Sequence, residues 1–426
     1  MNCTQEKTKI GGADFSSKRR HASLLLCISL AGLAGCGGSG SSNTAIPPST
    51  QVYKYIGTQT FSGVMGGVYD MTVDHSTNYF DLADQGYYFS QTVSQIGKFT
   101  NAGEFENLAV TESNAPFLVG GTLYGVEVPG DSLLLETGTD VGPAVFAESS
   151  SCAPLNKSAT FQFVQMGASN HTTNPPAYGM VTISTAQANW AVSNFNLLLT
   201  DGTNENAPSL ADGVCGPTAE GYVATIPFTV NGTSLIDTVA ISPNGYFIMD
   251  RDGEYGSGLL PLAGVIQPSS PLNTSALVAA KYAGFEYDYG YDSPQVAVGA
   301  DAVTQPIVFS GADATGTQLV GGVFPSGDPT QTPSANFQVN LGTQDSSHNG
   351  IYPSITVTLP DLKLACRETP YAGKDASGNP TCIFPGMAVA GSAGGKYVLY
   401  ITFVNATATS GSQPSPYSIQ FLLYQQ

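Results

Sequence analysis

From Val52 onward, apolar and polar positions alternate in short runs broken by turn residues. Tyr69-Asp70-Met71-Thr72-Val73 and Tyr79-Phe80-Asp81-Leu82 carry this pattern on either side of Asp74-His75-Ser76-Thr77-Asn78. A period of two sends successive side chains to opposite faces of a β-strand, so the segment predicts a hairpin. Gly179 to Ile183 with Trp190 to Val192, and Asp237 to Ile241 with Tyr246 to Met249, predict two more. The last pair is joined by Ser242-Pro243-Asn244-Gly245, and Asn-Gly suits the positive backbone angle of a tight turn. Only Asn273 to Ala283 and Ala102 to Ala109 look helical, and both are short.

Weak echoes run through the chain. Gly57, Met71 and Phe80 recur at a constant offset as Gly167, Val181 and Trp190. Lys54-Tyr55-Ile56-Gly57 resembles Lys281-Tyr282-Ala283-Gly284, and Thr122 to Asp131 resembles Thr317 to Asp328. They suggest tandem β-units of about 110–150 residues, the usual domain size. Closure into barrels would protect the many strand edges. The expected fold is therefore all-β: tandem antiparallel β-barrel or sandwich-like units with very little helix. A propeller-like ring of hairpins is the alternative.

The N-terminus breaks the pattern. Lys18-Arg19-Arg20 precede the apolar run Ala22 to Ala34, which ends in Leu33-Ala34-Gly35-Cys36. The run is far shorter than the roughly 20 residues that span a bilayer, and fits a signal-peptide core. Leu-Ala-Gly-Cys is the tetrapeptide at which bacterial lipoprotein precursors are lipidated and cut. Residues 1–35 are thus expected to be a lipoprotein signal peptide, and Cys36 the lipidation site that holds the protein to a bilayer. Residues 36–51, rich in Gly and Ser, read as a flexible tether. The body divides into a 52–270 N-terminal region, which the first echo splits into 52–150 and 158–270, and a 281–426 C-terminal domain.

Composition narrows the function. The chain has 14 basic and 32 acidic residues, a net charge of −18. Lys7, Lys9, Lys18, Arg19 and Arg20 lie in the leader, so the body is more acidic still. Such a surface repels nucleic acid. Of 7 Cys, Cys3 and Cys27 lie in the leader and Cys36 is assigned to lipid. Cys152, Cys215, Cys366 and Cys382 remain, an even number suited to disulfides in an oxidising compartment. Four Cys allow three pairings. Cys366–Cys382 closes a short loop containing Pro370 and Pro380, and Cys152–Cys215 then brackets one segment.

Candidate chemistry is sparse. Gly130-Asp131-Ser132-Leu133 spells an esterase nucleophile motif, but Leu133-Leu134-Leu135 reads as a strand, which makes the motif a turn into a strand. Asp250, Asp252 and Glu254 alternate in a segment suited to calcium, which takes several oxygen ligands. The cluster departs from the EF-hand loop, and a solvated hairpin is the plainer reading; no other cofactor is indicated. Phe285, Tyr287, Tyr289 and Tyr291 share one face of a strand, with Glu286, Asp288 and Asp292 on the other. The aromatic row could bind a sugar ring or a cation, although a core-facing row beside a wet acidic face accounts for it more simply. A carboxylate-dependent polysaccharide- or lipid-processing enzyme would need acids converging in a cleft, with Glu286, Asp288, Asp250 and Asp252 the first suspects.

Five phrases resemble an uncharacterised family of proteobacterial cell-envelope lipoproteins: Gly57-Thr58-Gln59, Ile241 to Phe247, Leu341 to Gln344, Asn349 to Pro353 and Gly395-Lys396-Tyr397. The resemblance implies a lipid-anchored envelope protein, with Cys36 the one functional residue carried over. Gly37, rather than Asp, after the Cys implies the outer membrane. The expectation is a non-enzymatic binding or structural module whose partners are the bilayer and a glycan or envelope protein, with a calcium-stabilised adhesin as a further alternative.

Overall fold

A computed structural model describes residues 52–426, apart from 62–63, 85–92, 137–141, 167–176, 187, 200–203, 206–209, 219–220, 231–232, 252–260, 289–303, 325–327, 334–336, 362–365, 368, 406–408, 411–412 and 415–416. Cys36 and the leader lie outside the described residues.

Barrel 1 is a closed meander of β1 (Val52–Phe61), β2 (Val64–Asp74), β3 (Tyr79–Asp84), β4 (Val93–Ala102), β5 (Phe105–Ser113), β6 (Thr122–Val128), β7 (Ser132–Glu136) and β8 (Ala144–Glu148). Pairing of β1 with β8 closes it. Barrel 2 runs through β9 (Ser158–Gln165), β10 (Ala177–Ser184), β11 (Asn189–Leu199), the short β12 (Asn204–Glu205), β13 (Gly213–Pro217), β14 (Tyr222–Val230), β15 (Thr233–Ile241), β16 (Tyr246–Arg251) and β17 (Leu262–Ile266). It closes through β9 and β17, with β12 appended to β11. Helix α1 (Thr274–Ala279), capped by the Asn273 side chain, leads into barrel 3.

Barrel 3 contains β18 (Tyr282–Asp288), β19 (Thr304–Ala312), β20 (Leu319–Val323), β21 (Phe337–Asn340), β22 (Ile351–Pro360), β23 (Ala372–Lys374), β24 (Pro380–Ala393), β25 (Lys396–Asn405) and β28 (Tyr417–Gln425). The two-residue strands β26 (Thr409–Ser410) and β27 (Gln413–Pro414) pair apart from it. Pairing of β22 with β24 closes the ring, and β23 hangs on β24. The fold is thus three closed antiparallel eight-stranded barrels in tandem, not a propeller.

The three hairpins read from the sequence pair as expected. Gly245 takes φ +88 in the Asn-Gly turn. Ala102 to Ala109 is not helical: Gly103 turns the chain at φ +67, and β4 pairs with β5 across it. Met71 and Phe80 lie on the second and third strands of barrel 1, and Val181 and Trp190 on the matching strands of barrel 2. The Lys54 and Lys281 echo marks the first strands of barrels 1 and 3. The third echo joins β6, sixth in its barrel, to β20, third in its own, so it has no structural counterpart.

An eight-stranded barrel is just wide enough for its interior to be filled by side chains. Barrel 1 is filled by residues including Tyr55, Phe80, Leu82, Leu133 and Phe146. Barrel 2 is filled around Trp190, Phe161 and Phe247, and barrel 3 around Phe309, Phe337 and Phe421. Each such fully buried large side chain contributes roughly 1.5–3 kcal/mol. A fourth apolar cluster is drawn from the outer faces of all three barrels, including Val126 and Leu134, Tyr246 and Val265, and Phe285 and Tyr400. Polar contacts join the same faces. The Gln162 side chain donates to the Ala390 carbonyl at 2.6 Å, and the Gln420 side chain to that of Gln165 at 2.6 Å. Disulfides Cys152–Cys215 and Cys366–Cys382 are present, each with Cα atoms 5.6 Å apart.

Candidate functional site

In an up-and-down barrel, alternate turns fall at the same rim. The β2–β3, β4–β5 and β6–β7 turns of barrel 1 therefore converge, beside the start of β1, which pairs Val52 with Asp74. Three ionisable side chains meet there. His75 opens the β2–β3 turn, Glu106 is the second residue of β5, and Glu127 is the last but one of β6.

Strand phase explains why both glutamates turn inward. Leu108 faces the barrel interior, so Glu106, two residues earlier, shares that face; Leu133, opposite Glu127 in the register, does likewise for β6. The interior thus passes from hydrocarbon to carboxylate at this rim. Asp74 fixes the histidine's turn, its carboxylate accepting from the Ser76 amide at 2.8 Å and the Thr77 hydroxyl at 2.8 Å. The imidazole stands edge-on to Tyr53 and Phe99, with ring centres 5.7 and 5.2 Å away.

His75 Nε2 lies 2.8 Å from Glu127 Oε2, with side-chain exposures of 17% and 1%. Despite that approach, neither atom has a partner in hydrogen-bonding alignment. The other Glu127 oxygen, Oε1, accepts from the Tyr55 hydroxyl at 2.5 Å. Tyr55 in turn accepts from the Gly130 amide at 3.0 Å. One ligand-type atom from each of His75, Glu106 and Glu127 lies within 4.8 Å of the others.

The electrostatics follow from this crowding. Burial, then the Glu127 charge, push the Glu106 carboxyl up to about 8, so it holds a proton at neutral pH. Contact with the Glu127 carboxylate holds the His75 imidazolium above its usual range, against the effect of burial. Burial raises the Tyr55 hydroxyl well above the ordinary tyrosine range. The cluster offers one imidazole nitrogen and two carboxylates, a donor set for a divalent cation or a seat for a shared proton.

The residues singled out in the sequence fall elsewhere. Phe285 packs edge-on against Phe105 and Phe324, each with ring centres 5.8 Å away, and Tyr287 is buried. Their row is core rather than a ligand platform; Tyr289 and Tyr291 lie outside the described residues. Nor is the opposite face wet: Glu286 is fully buried inside barrel 3, accepting from Gln305 at 2.5 Å. Asp250 accepts the Thr58 hydroxyl at 2.7 Å and so ties barrel 2 to barrel 1. Asp252 and Glu254 lie outside the described residues. Gly130-Asp131-Ser132 is a turn entering β7, and buried Asp131 receives the Ser242 hydroxyl of barrel 2. Asp361 sits beside Cys366 and Cys382, but that pair is oxidised and offers no thiolate.

Sequence reading missed His75, Glu106 and Glu127 as a set. The available signal was an acid in phase with inward apolar residues on two strands. Its meaning needed the barrel's closure.

The chain matches no protein-family model, and no curated protein matches it in sequence. Solved structures similar to it include transferrin-binding protein B from serogroup B Neisseria meningitidis, at 13% identity and TM-score 0.27, covering 89% of this chain and 77% of that one. A double mutant of transferrin-binding protein B from Haemophilus parasuis Hp5 is 10% identical at TM-score 0.28, covering 89% and 77%. The intact two-lobed Ap-TbpB is 10% identical at TM-score 0.24, covering 89% and 78%. At these scores the likeness carries no argument about partner or activity.

Proposed function

We propose that the chain is a cell-envelope lipoprotein, anchored through acylated Cys36 to the outer membrane, whose body is a non-enzymatic binding or structural module. One observation carries the module reading: the three barrels spend their interiors on side-chain packing and their facing outer surfaces on one shared core. That arrangement makes a rigid block that presents rims and loops, and leaves partners such as a glycan or an envelope protein to be met from outside. The enzyme alternative loses support where its suspects are described. Asp250 is held by Thr58, and Glu286 is enclosed in barrel 3. For the anchor, the support is Leu33-Ala34-Gly35-Cys36 after a short apolar run.

Cells expressing the full chain or its Cys36→Ser variant, fed a labelled fatty acid and fractionated, test the anchor. Label and outer-membrane recovery are expected for the first and neither for the second. Equal labelling of both contradicts the anchor. Incubating the purified chain with envelope polysaccharide and lipid should return both unchanged by mass spectrometry, and product release contradicts the module reading.

A further inference from the structure

We propose that the rim of barrel 1 is a binding site for a divalent transition-metal ion of the zinc type, held by His75, Glu106 and Glu127. Such a site goes beyond the envelope-module reading and does not depend on it. Three donors from three different hairpins come within 4.8 Å of one another, which strand pairing alone does not require. His75 Nε2 and Glu127 Oε2 are buried atoms that form an ion pair at 2.8 Å without hydrogen-bonding alignment. A buried pair held at contact but out of alignment is poorly compensated, and a cation bound beside both atoms would compensate it better. A cation satisfies both at once, and its charge offsets two carboxylates drawn out of water.

The donor chemistry selects the ion class. One imidazole nitrogen with two carboxylates matches zinc and its neighbours, whereas calcium wants six to eight oxygens. Three protein ligands leave a coordination position open, as in zinc sites that accept water or a further ligand. The surroundings hold the ligands in place. Tyr55 binds the oxygen of Glu127 that does not face His75, and Gly130 binds Tyr55. Such outer hydrogen bonds orient ligating carboxylates. Asp74 locks the turn that carries His75, whose partial exposure gives an ion its way in.

Calorimetric titration of the detergent-solubilised full chain with zinc chloride tests the site. One zinc is expected, with His75→Ala and Glu127→Gln each weakening it more than about 100-fold, and Tyr55→Phe, which removes only an outer partner, about 10- to 100-fold. Glu106→Gln keeps the shape of the protonated acid and should also weaken binding strongly; it decides the matter if His75→Ala does not fold. Cobalt(II) in place of zinc should show ligand-field bands without a sulfur charge-transfer band, as one imidazole and two carboxylates require. A wild type that takes up no zinc, variants that bind as tightly as wild type, or cobalt spectra carrying the sulfur band would each overturn the proposal.

Discussion

The molecule buries two polar clusters that could hardly differ more in what they cost. Where the three barrels meet, the Tyr246 and Tyr400 hydroxyls bond to each other, and the Tyr424 ring stands edge-on to Tyr246 at 5.8 Å. These are neutral groups, and burial raises Tyr400 and Tyr424 well above the usual tyrosine range and raises Tyr246 too. At the rim of barrel 1 the buried groups are a histidine and two carboxylates. Neutral hydroxyls that bond one another are inexpensive to bury and fix geometry. Charged and titratable groups drawn out of water are expensive to bury, and they depend on one another for compensation. The junction is therefore built for stability, and the rim for something it holds.

The sharpest way to break the junction is steric. A Cβ at Gly391 on β24 would come within 2.3 Å of Val265 on β17, so Gly391→Val should wedge barrels 2 and 3 apart. About 3 kcal/mol of stability should be lost in denaturant unfolding, the upper end for overpacking. Tyr246→Phe is subtler, since it leaves the Tyr400 hydroxyl short of a partner. It should cost about 1–2 kcal/mol by the same measurement.

The pH dependence sharpens the contrast. Burial alone pushes Glu136, at the end of β7, up to about 8, and burial pushes Asp131 up to about 6. Carboxyls in an unfolded chain titrate near 4. Between about pH 4.5 and 8 the folded state thus binds more protons than the unfolded state, so stability falls as pH rises through that window. The melting temperature should be higher at pH 5.5 than at pH 8, and Glu136→Gln should flatten that decline.

Much of the fold was legible because its signals are local. Alternation around Tyr69 and Tyr79, the Asn244-Gly245 turn and the Asn273 cap each act within a few residues of themselves. Ala102 to Ala109 misled because Ala, Glu and Leu favour a helix, while the β4–β5 pairing and a left-handed Gly103 decide otherwise. Glu286 misled for a related reason. Alternation gives two faces but not which one is wet, and in a closed barrel packed against two others both are buried. The rim cluster was beyond reach, since His75, Glu106 and Glu127 become neighbours only when the strand order and the closing β1–β8 pair are known.

If the rim is kept for a ligand and not for stability, Glu127→Gln shows it most directly. Unfolding of wild type and variant would be measured in excess chelator and again with zinc. In chelator the two should agree within about 1 kcal/mol, because removing a buried charge offsets the weaker attraction to His75. With zinc, only the wild type should gain stability. A variant that is already about 3–5 kcal/mol weaker in chelator would show instead that His75 and Glu127 are kept as a structural ion pair.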